Sequence, residues 1–279
     1  MAFPPQGFII GAQKSGTTSL SGLLGQHPGI VMSEPKEPDF FNVHWERGLD
    51  WYRQCFAQHP GILVEASVSY SMARTVEWER GTDQLVPQRI FELSPQAKFI
   101  YIVRNPADRC YSAYWHDVRA RAERRALREV VEKKVYYTMA SYYHLQLNRY
   151  LPYFPLDRFL IVDFRKLARE PSQVAAQCAA FLGAGHREFA FAADRPKNQA
   201  FRPNRVGMAL QNINGVAKLL PPSLRTSIKR LLSKDIPPLS AADRAFMMEY
   251  FRADMQAFEA QTGINFLSQQ DQEMRAQGG

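Results

Sequence analysis

The stretch Phe8-Ile9-Ile10-Gly11-Ala12-Gln13-Lys14-Ser15-Gly16-Thr17-Thr18-Ser19-Leu20 decides the fold of this chain. A short apolar run stops at a glycine. A lysine, a serine, a second glycine and two threonines then lead into residues with helical spacing. The pattern predicts a strand, a tight turn and the first turn of a helix. The first N–H groups of such a helix have no partner within it and carry the positive end of its dipole, so they face an anion. Gly16 permits close backbone approach, and Lys14 adds a compact positive charge. The stretch is expected to be an anion cradle.

Outward from the cradle, Leu20, Leu23 and Leu24 give Ser15 to Gln26 one apolar helical face, which His27-Pro28-Gly29 ends. Ile30-Val31-Met32 predicts a second strand. Ser33-Glu34-Pro35-Lys36-Glu37-Pro38-Asp39-Phe40-Phe41 follows as a loop or short helix projecting polar groups beside an aromatic anchor. Gly48 to Phe56 reads as a helix, and Gly61 to Glu65 as a third strand opening into the polar turn Ala66-Ser67-Val68-Ser69-Tyr70. A helix from Gln84 to Leu93 leads to Lys98-Phe99-Ile100-Tyr101-Ile102-Val103, whose uniform apolarity marks a buried parallel strand. That strand stops at Arg104-Asn105-Pro106, where the next helix starts with a proline in an early position.

Glu123 to Lys134 is charge-rich and reads as a solvated helix face or excursion. Tyr142 to Leu151 predicts a helix, Arg158 to Val162 a strand, and Ser172 to Leu182 an amphipathic helix stopped by Gly183. Strand and helix alternate throughout, so the expected fold is α/β, one domain with a central parallel sheet flanked by helices. From Asp194 to Arg205 the periodicity is lost, and this basic, proline-bearing segment is a loop and a candidate lid. The remainder reads as helical, with Ser240 as N-cap of Ala241 to Gln261 and Gly263 as its stop. The domain is placed at residues 1–267, and 268–279 is expected to be a frayed polar tail.

The length of 279 residues allows a full core. Lys and Arg outnumber Asp and Glu by 35 to 27, a formal charge of +8 that favours an anionic partner without naming it. Cys55, Cys110 and Cys178 lie far apart, which argues against a zinc knuckle or disulfide framework and for a reducing compartment. The N-terminal residues lack a basic and then apolar leader pattern, and no run of about 18 apolar residues occurs. No stable membrane insertion is expected, and the chain reads as cytoplasmic unless an N-terminal anchor has been removed from it. The aromatics lie in apolar runs and do not interleave with a basic stripe, which speaks against a nucleic-acid-binding module. No feature of the sequence specifies an oligomeric state.

In the common P-loop the lysine follows the second glycine; here it precedes it, in Gly11-x-x-Lys14-Ser15-Gly16-Thr17-Thr18. This order fits a 5′-phosphate site better than a site for a triphosphate and Mg²⁺. A second constellation is Arg104 with Ser112. Arg104 stands at the carboxyl end of a buried strand, where open α/β sheets bind ligands. Ser112 follows after about two helical turns, and an arginine fork with a hydroxyl is a phosphate clamp.

These two motifs, with Val103-Arg104-Asn105-Pro106 and Tyr111-Ser112 around the second, resemble the sulfotransferases that use 3′-phosphoadenosine 5′-phosphosulfate (PAPS). The similarity is greatest to the branch of heparan sulfate sulfotransferases and their bacterial relatives. His27-Pro28, Lys36 to Phe41, Glu65-Ala66-Ser67 and the region from Tyr153-Phe154-Pro155 to Asp163 occur in the family's order. The resemblance implies a P-loop-NTPase-like sulfotransferase fold and transfer of a sulfuryl group to a hydroxyl of a carbohydrate, lipid or small metabolite. It implies that Lys14 contacts the leaving phosphate oxygen, that Ser15, Gly16, Thr17 and Thr18 bind the 5′ end, and that Arg104 and Ser112 hold the 3′-phosphate. It implies no metal, with adenosine 3′,5′-bisphosphate as product.

The acceptor needs a base. Glu37 occupies the position of the heparan enzymes' catalytic glutamate, with Glu34 as its near competitor and a surface pair with Lys36 as the plainer reading. His116, one helical turn after Ser112, is a third candidate, though a partly buried histidine satisfied by hydrogen bonds is the expectation for it. Three departures stand out. The second lysine that many relatives carry after the third-strand glutamate is Ala66 here, Asp39 replaces a histidine, and Lys197 to Arg202 replaces a disulfide loop. That loop is expected to close over the nucleotide, with Phe201 near the adenine and Arg202 or Arg205 near phosphate. The alternative is a P-loop nucleotide kinase or phosphotransferase, which needs an acidic Mg²⁺ ligand at a strand end; Glu65 is only a weak candidate for it.

Overall fold

Residues of opposite parity along each strand enter opposite cores. In β1 (Gly7–Gly11), Phe8 and Ile10 pack to one side and Ile9 to the other. A strand covered on both faces needs no polar face, which is why these segments read as continuous apolar runs. The computed structural model describes residues 3–73, 85–120, 122–185, 189–192, 201–203 and 233–266.

Within these residues the chain continues through α1 (Thr17–Leu24), β2 (Ile30–Met32), α2 (Gly48–Gln54), β3 (Ile62–Glu65), α3 (Val86–Leu93) and β4 (Lys98–Val103). Then come α4 (Pro106–Arg119), α5 (Leu127–Glu132), α6 (Tyr136–Met139), α7 (Tyr143–Asn148), β5 (Phe159–Asp163), α8 (Phe164–Arg169) and α9 (Pro171–Leu182). A short antiparallel pair, β6 (Phe201–Pro203) and β7 (Ser233–Asp235), precedes the long helix α10 (Ala241–Thr262). Five strands form one parallel sheet in the order β2-β3-β1-β4-β5, as the strand and helix alternation predicts.

One core joins Ile9, Val64, Ile100 and Ile102 to Leu20, Leu23 and Leu24 of α1 and Val174, Cys178 and Leu182 of α9. The other joins Phe8, Phe99 and Tyr101 to Tyr52, Ile90, Cys110, Tyr143 and Phe258. Helices α1 and α4 therefore leave the neighbouring strands β1 and β4 toward opposite faces. The carboxyl edge of the sheet between them is the place where such sheets bind ligands.

The ends of α10 follow their caps. Ser240 accepts the Asp243 N–H and Gly263 adopts the left-handed conformation, as the sequence predicts. Three expectations need correction. Glu123 is buried, not solvated, because Arg125 pairs with it at 2.7 Å and Tyr137 donates to it at 3.0 Å. The Asp194 to Arg205 segment is not loop throughout, since residues 201–203 pair with 233–235; the chain after it is accordingly not all helical. The predicted tail, 268–279, lies outside the described residues. The three cysteines are buried free thiols. No described helix is long and apolar enough to cross a membrane.

Candidate active site

The carboxyl ends of all five strands supply residues to this edge of the sheet. After β1 the chain turns through Gly11 to Gly16. Lys14 holds a left-handed conformation (φ 66°), and so does Gly16 (φ 85°), which ends the turn. A Cβ on Gly16 would meet the Leu167 and Phe164 side chains at 3.1 and 3.2 Å, so both its conformation and its surroundings require glycine. Leu20 N–H is bonded back to Gly16 O at 3.1 Å, and the N–H groups before it in the first turn of α1 have no partner within the helix. Ser15 is completely buried, and its Oγ has no hydrogen-bond partner among the described residues. A buried hydroxyl is ordinarily satisfied, so an unpartnered one inside a turn of helix N–H groups suits an anion with several acceptor oxygens. Thr17 is buried and Thr18 exposed on the same turn.

Arg104, at the end of β4, donates to the Lys14 carbonyl at 3.4 Å, and its guanidinium lies 4.8 Å from the centre of the Phe164 ring. Tyr143 Oη brackets its backbone, accepting the Arg104 N–H at 3.2 Å and donating to the Arg104 carbonyl at 2.7 Å. Arg104 is thereby brought to the cradle on a fixed platform. Ser112 is half-buried on α4. The same helix carries His116 and Arg119, both of which feel the Lys14 charge. Burial first, then Arg119 and Arg104, hold the Lys14 ammonium below its ordinary value, with Asp117 opposing. A bound anion would reverse that shift.

The loop after β2 brings the predicted base. Glu37 is exposed and pairs with Lys36 at 2.5 Å. Lys36 also reaches Thr17 Oγ1, at 3.4 Å. Glu34 is exposed, its N–H bonded to Cys55 O at 2.7 Å. His116 is exposed rather than tucked away, and its ring has no hydrogen bond among the described residues. Desolvation and the nearby Lys14 ammonium hold its pKa below the ordinary value. Phe201 and Arg202 lie in β6, whose backbone runs beside α4, whereas Arg205 lies outside the described residues.

Three contributors have roles that the sequence reading does not assign. The first is Glu65, fully buried at the end of β3. Its Oε1 accepts from Ser67 Oγ and Tyr70 Oη, each at 2.5 Å, and its Oε2 accepts from Tyr52 Oη. Ser67 Oγ in turn accepts the Asp39 N–H and Tyr70 Oη the Phe41 N–H, at 3.0 and 3.1 Å. One carboxylate thus fixes the loop that follows Glu37, while Phe40 stacks on Tyr52 with centroids 4.1 Å apart. Burial outweighs the three donors and pushes the Glu65 carboxyl up to about 7. The second is Arg109, completely buried, which donates to Ser141 Oγ at 2.6 Å, to the Tyr137 carbonyl and, at 3.5 Å, to the Gln13 carbonyl. It ties the cradle to α4. The third is Phe164, whose place just after β5 at the carboxyl edge is a signal that could have marked it. Among the described residues no group of three or more His, Cys, Asp or Glu side chains is arranged to hold a metal.

The chain is similar to known proteins. Residues 4–195 match the family model described as "Sulfotransferase domain". The chain is 32% identical over 200 residues to the human bifunctional heparan sulfate N-deacetylase/N-sulfotransferase 2, covering 64% of this chain and 22% of that protein. It is 28% identical over 269 residues to the mouse bifunctional heparan sulfate N-deacetylase/N-sulfotransferase 1, covering 89% of this chain and 28% of the relative. It thus spans about a quarter of the length of these curated relatives. The crystal structure of a sulfotransferase from Alicyclobacillus acidocaldarius superposes with a TM-score of 0.66 at 25% identity, covering 95% of this chain and 98% of that one. The anion cradle, the arginine of the neighbouring strand and these matches lead to one conclusion: the chain belongs to the sulfotransferase family and is an enzyme of that class.

Proposed function

We propose that the chain moves a sulfuryl group from PAPS to a hydroxyl of a carbohydrate, lipid or small metabolite, with Lys14 at the leaving group and Glu37 as general base. The observation that carries the reading is the unpartnered, buried Ser15 hydroxyl inside a turn to which Arg104 and Lys14 both bring positive charge. In this reading Lys14, Ser15, Gly16, Thr17 and Thr18 hold the 5′ end. Arg104 and Ser112 hold the 3′-phosphate, and Phe201, Arg202 and Arg205 close over the nucleotide. The bond between sulfur and the bridging phosphate oxygen breaks, and its electron pair leaves with adenosine 3′,5′-bisphosphate, where Lys14 neutralises the growing charge. The acceptor oxygen bonds to sulfur, and its proton passes to Glu37. The transfer needs no metal. The buried free thiols favour a cytoplasmic setting.

The names of the curated relatives favour a second reading of the acceptor, an amino group on a carbohydrate. It must also lose a proton as the bond to sulfur forms, and Glu37 would accept it equally. Calorimetry with adenosine 3′,5′-bisphosphate, ATP with Mg²⁺, and RNA tests the donor. The bisphosphate is expected to bind, and binding of ATP with Mg²⁺ in its place would refute the sulfotransferase reading of this site. Glu37→Gln is expected to retain nucleotide binding and to lose turnover in an acceptor screen with radiolabelled PAPS. Retained turnover would move the base to Glu34 or His116.

A further inference from the structure

The position after the third-strand glutamate carries no cation, for Ala66 is completely buried and uncharged. Positive charge reaches the first turn of α1 from another loop. Lys36 Nζ donates to Thr17 Oγ1 at 3.4 Å and to Glu37 Oε1 at 2.5 Å, and its side chain is 25% exposed. A lysine paired only with its sequence neighbour has no reason to point at α1. The contact with a buried threonine 19 residues away does, because the N–H groups of that turn face the same anion. The loop is held in this position from below, by the bonds of Ser67 and Tyr70 to Asp39 and Phe41 and by Ser33 Oγ, which donates to the Lys36 carbonyl at 3.0 Å.

We propose that Lys36 is a second cation of the 5′-phosphosulfate subsite and that its one ammonium is shared between the bound anion and the Glu37 carboxylate. This rests on the sulfotransferase reading of the site. An ammonium drawn toward phosphosulfate is drawn away from Glu37 Oε1, so the bound anion and the Glu37 carboxylate compete for one charge. Lys36 supplies, from the β2 loop, the charge that Ala66 does not.

The test is a double-mutant cycle read by calorimetry, with adenosine 3′,5′-bisphosphate as the probe and adenosine 3′-phosphate, which lacks the 5′ group, as the control. Lys36→Met is expected to weaken the bisphosphate about five- to tenfold, the size of a partly solvated charge-assisted contact, and to leave adenosine 3′-phosphate unchanged. Lys36→Arg should recover most of the loss. With Glu37→Gln the competing carboxylate is gone, so the bisphosphate should bind more tightly, and Lys36→Met should cost more in that background than in the wild type. An equal cost in both backgrounds would overturn the sharing. No cost in either, with wild-type binding intact, would overturn the contact. Failure of the wild type to bind the bisphosphate would instead overturn the sulfotransferase reading on which the proposal rests.

Discussion

Glu65→Gln should stabilise the protein at neutral pH and not at acid pH, and the difference can be worked from the structure. The Glu65 carboxyl is fully buried among Tyr52, Ser67 and Tyr70, with Asp39 and Cys55 as further titratable neighbours, and burial raises it from 4.5 to about 7. A raised acid holds its proton in the folded state after the unfolded chain has released it. Below pH 4.5 both states are protonated and the group costs nothing. Between 4.5 and 7 the unfolded state binds fewer protons, so stability falls as pH rises; above 7 the cost is complete. At about 1.4 kcal/mol for each pH unit across that window, it amounts to about 3 kcal/mol. Glutamine keeps an oxygen for the Ser67 and Tyr70 hydroxyls and points its amide at Tyr52 Oη, whose proton must turn away, at a cost of about 1 kcal/mol that does not depend on pH. Urea unfolding followed by tryptophan fluorescence from pH 4.5 to 8 at fixed ionic strength measures both proteins, and subtraction cancels every other titrating group. The stability of Glu65→Gln relative to wild type should rise by about 3 kcal/mol across the range. A flat difference would refute the buried protonation. A difference of the opposite slope would show that the three hydroxyl donors outweigh burial and depress the carboxyl.

Two further outcomes test the cradle itself. Gly16→Ala places a Cβ in a left-handed residue and presses it on Leu167 and Phe164 at 3.1 to 3.3 Å; a loss of about 2 kcal/mol in urea unfolding is expected, together with weaker adenosine 3′,5′-bisphosphate binding, because Phe164 is the platform under Arg104. Lys14, whose ammonium is already held below 10.5 by burial and two arginines, must be charged to hold an anion. Bisphosphate affinity should therefore fall on the alkaline side at a pH below 10.5, with proton uptake on binding seen in buffers of different ionisation enthalpy, and Lys14→Arg should abolish both effects.

The elements of this fold were legible wherever a local rule is strong. The apolar runs of β1 and β4 admit only a strand covered on both faces, and Ser240 and Gly263 mark both ends of α10 by their side-chain and backbone chemistry alone. Side-chain roles were legible to the extent that they depend on neighbours in sequence. The Lys36 and Glu37 pair, the plainer alternative to Glu37 as base, was legible because the two are adjacent; the reach of Lys36 to Thr17 was not, because it crosses from the β2 loop to α1. Glu65 read as a weak metal ligand because a carboxylate at a strand end suggests one. Its three hydroxyl partners come from α2 and from the turn beyond β3, and only packing turns them inward. Arg109 carries the same lesson from the opposite charge: nothing in its helix marks it as the arginine that, among the described residues, is completely buried. These misses share one physical cause. Lys14 and Arg104 each follow a strand that the sequence identifies, and Glu65 ends a third, but which of them meet depends on β1 lying between β3 and β4. Right-handed crossovers permit several strand orders for the same succession of elements, so the pattern that names each strand end leaves the distances between them open, and it is those distances that make an anion site of residues drawn from the ends of separate strands.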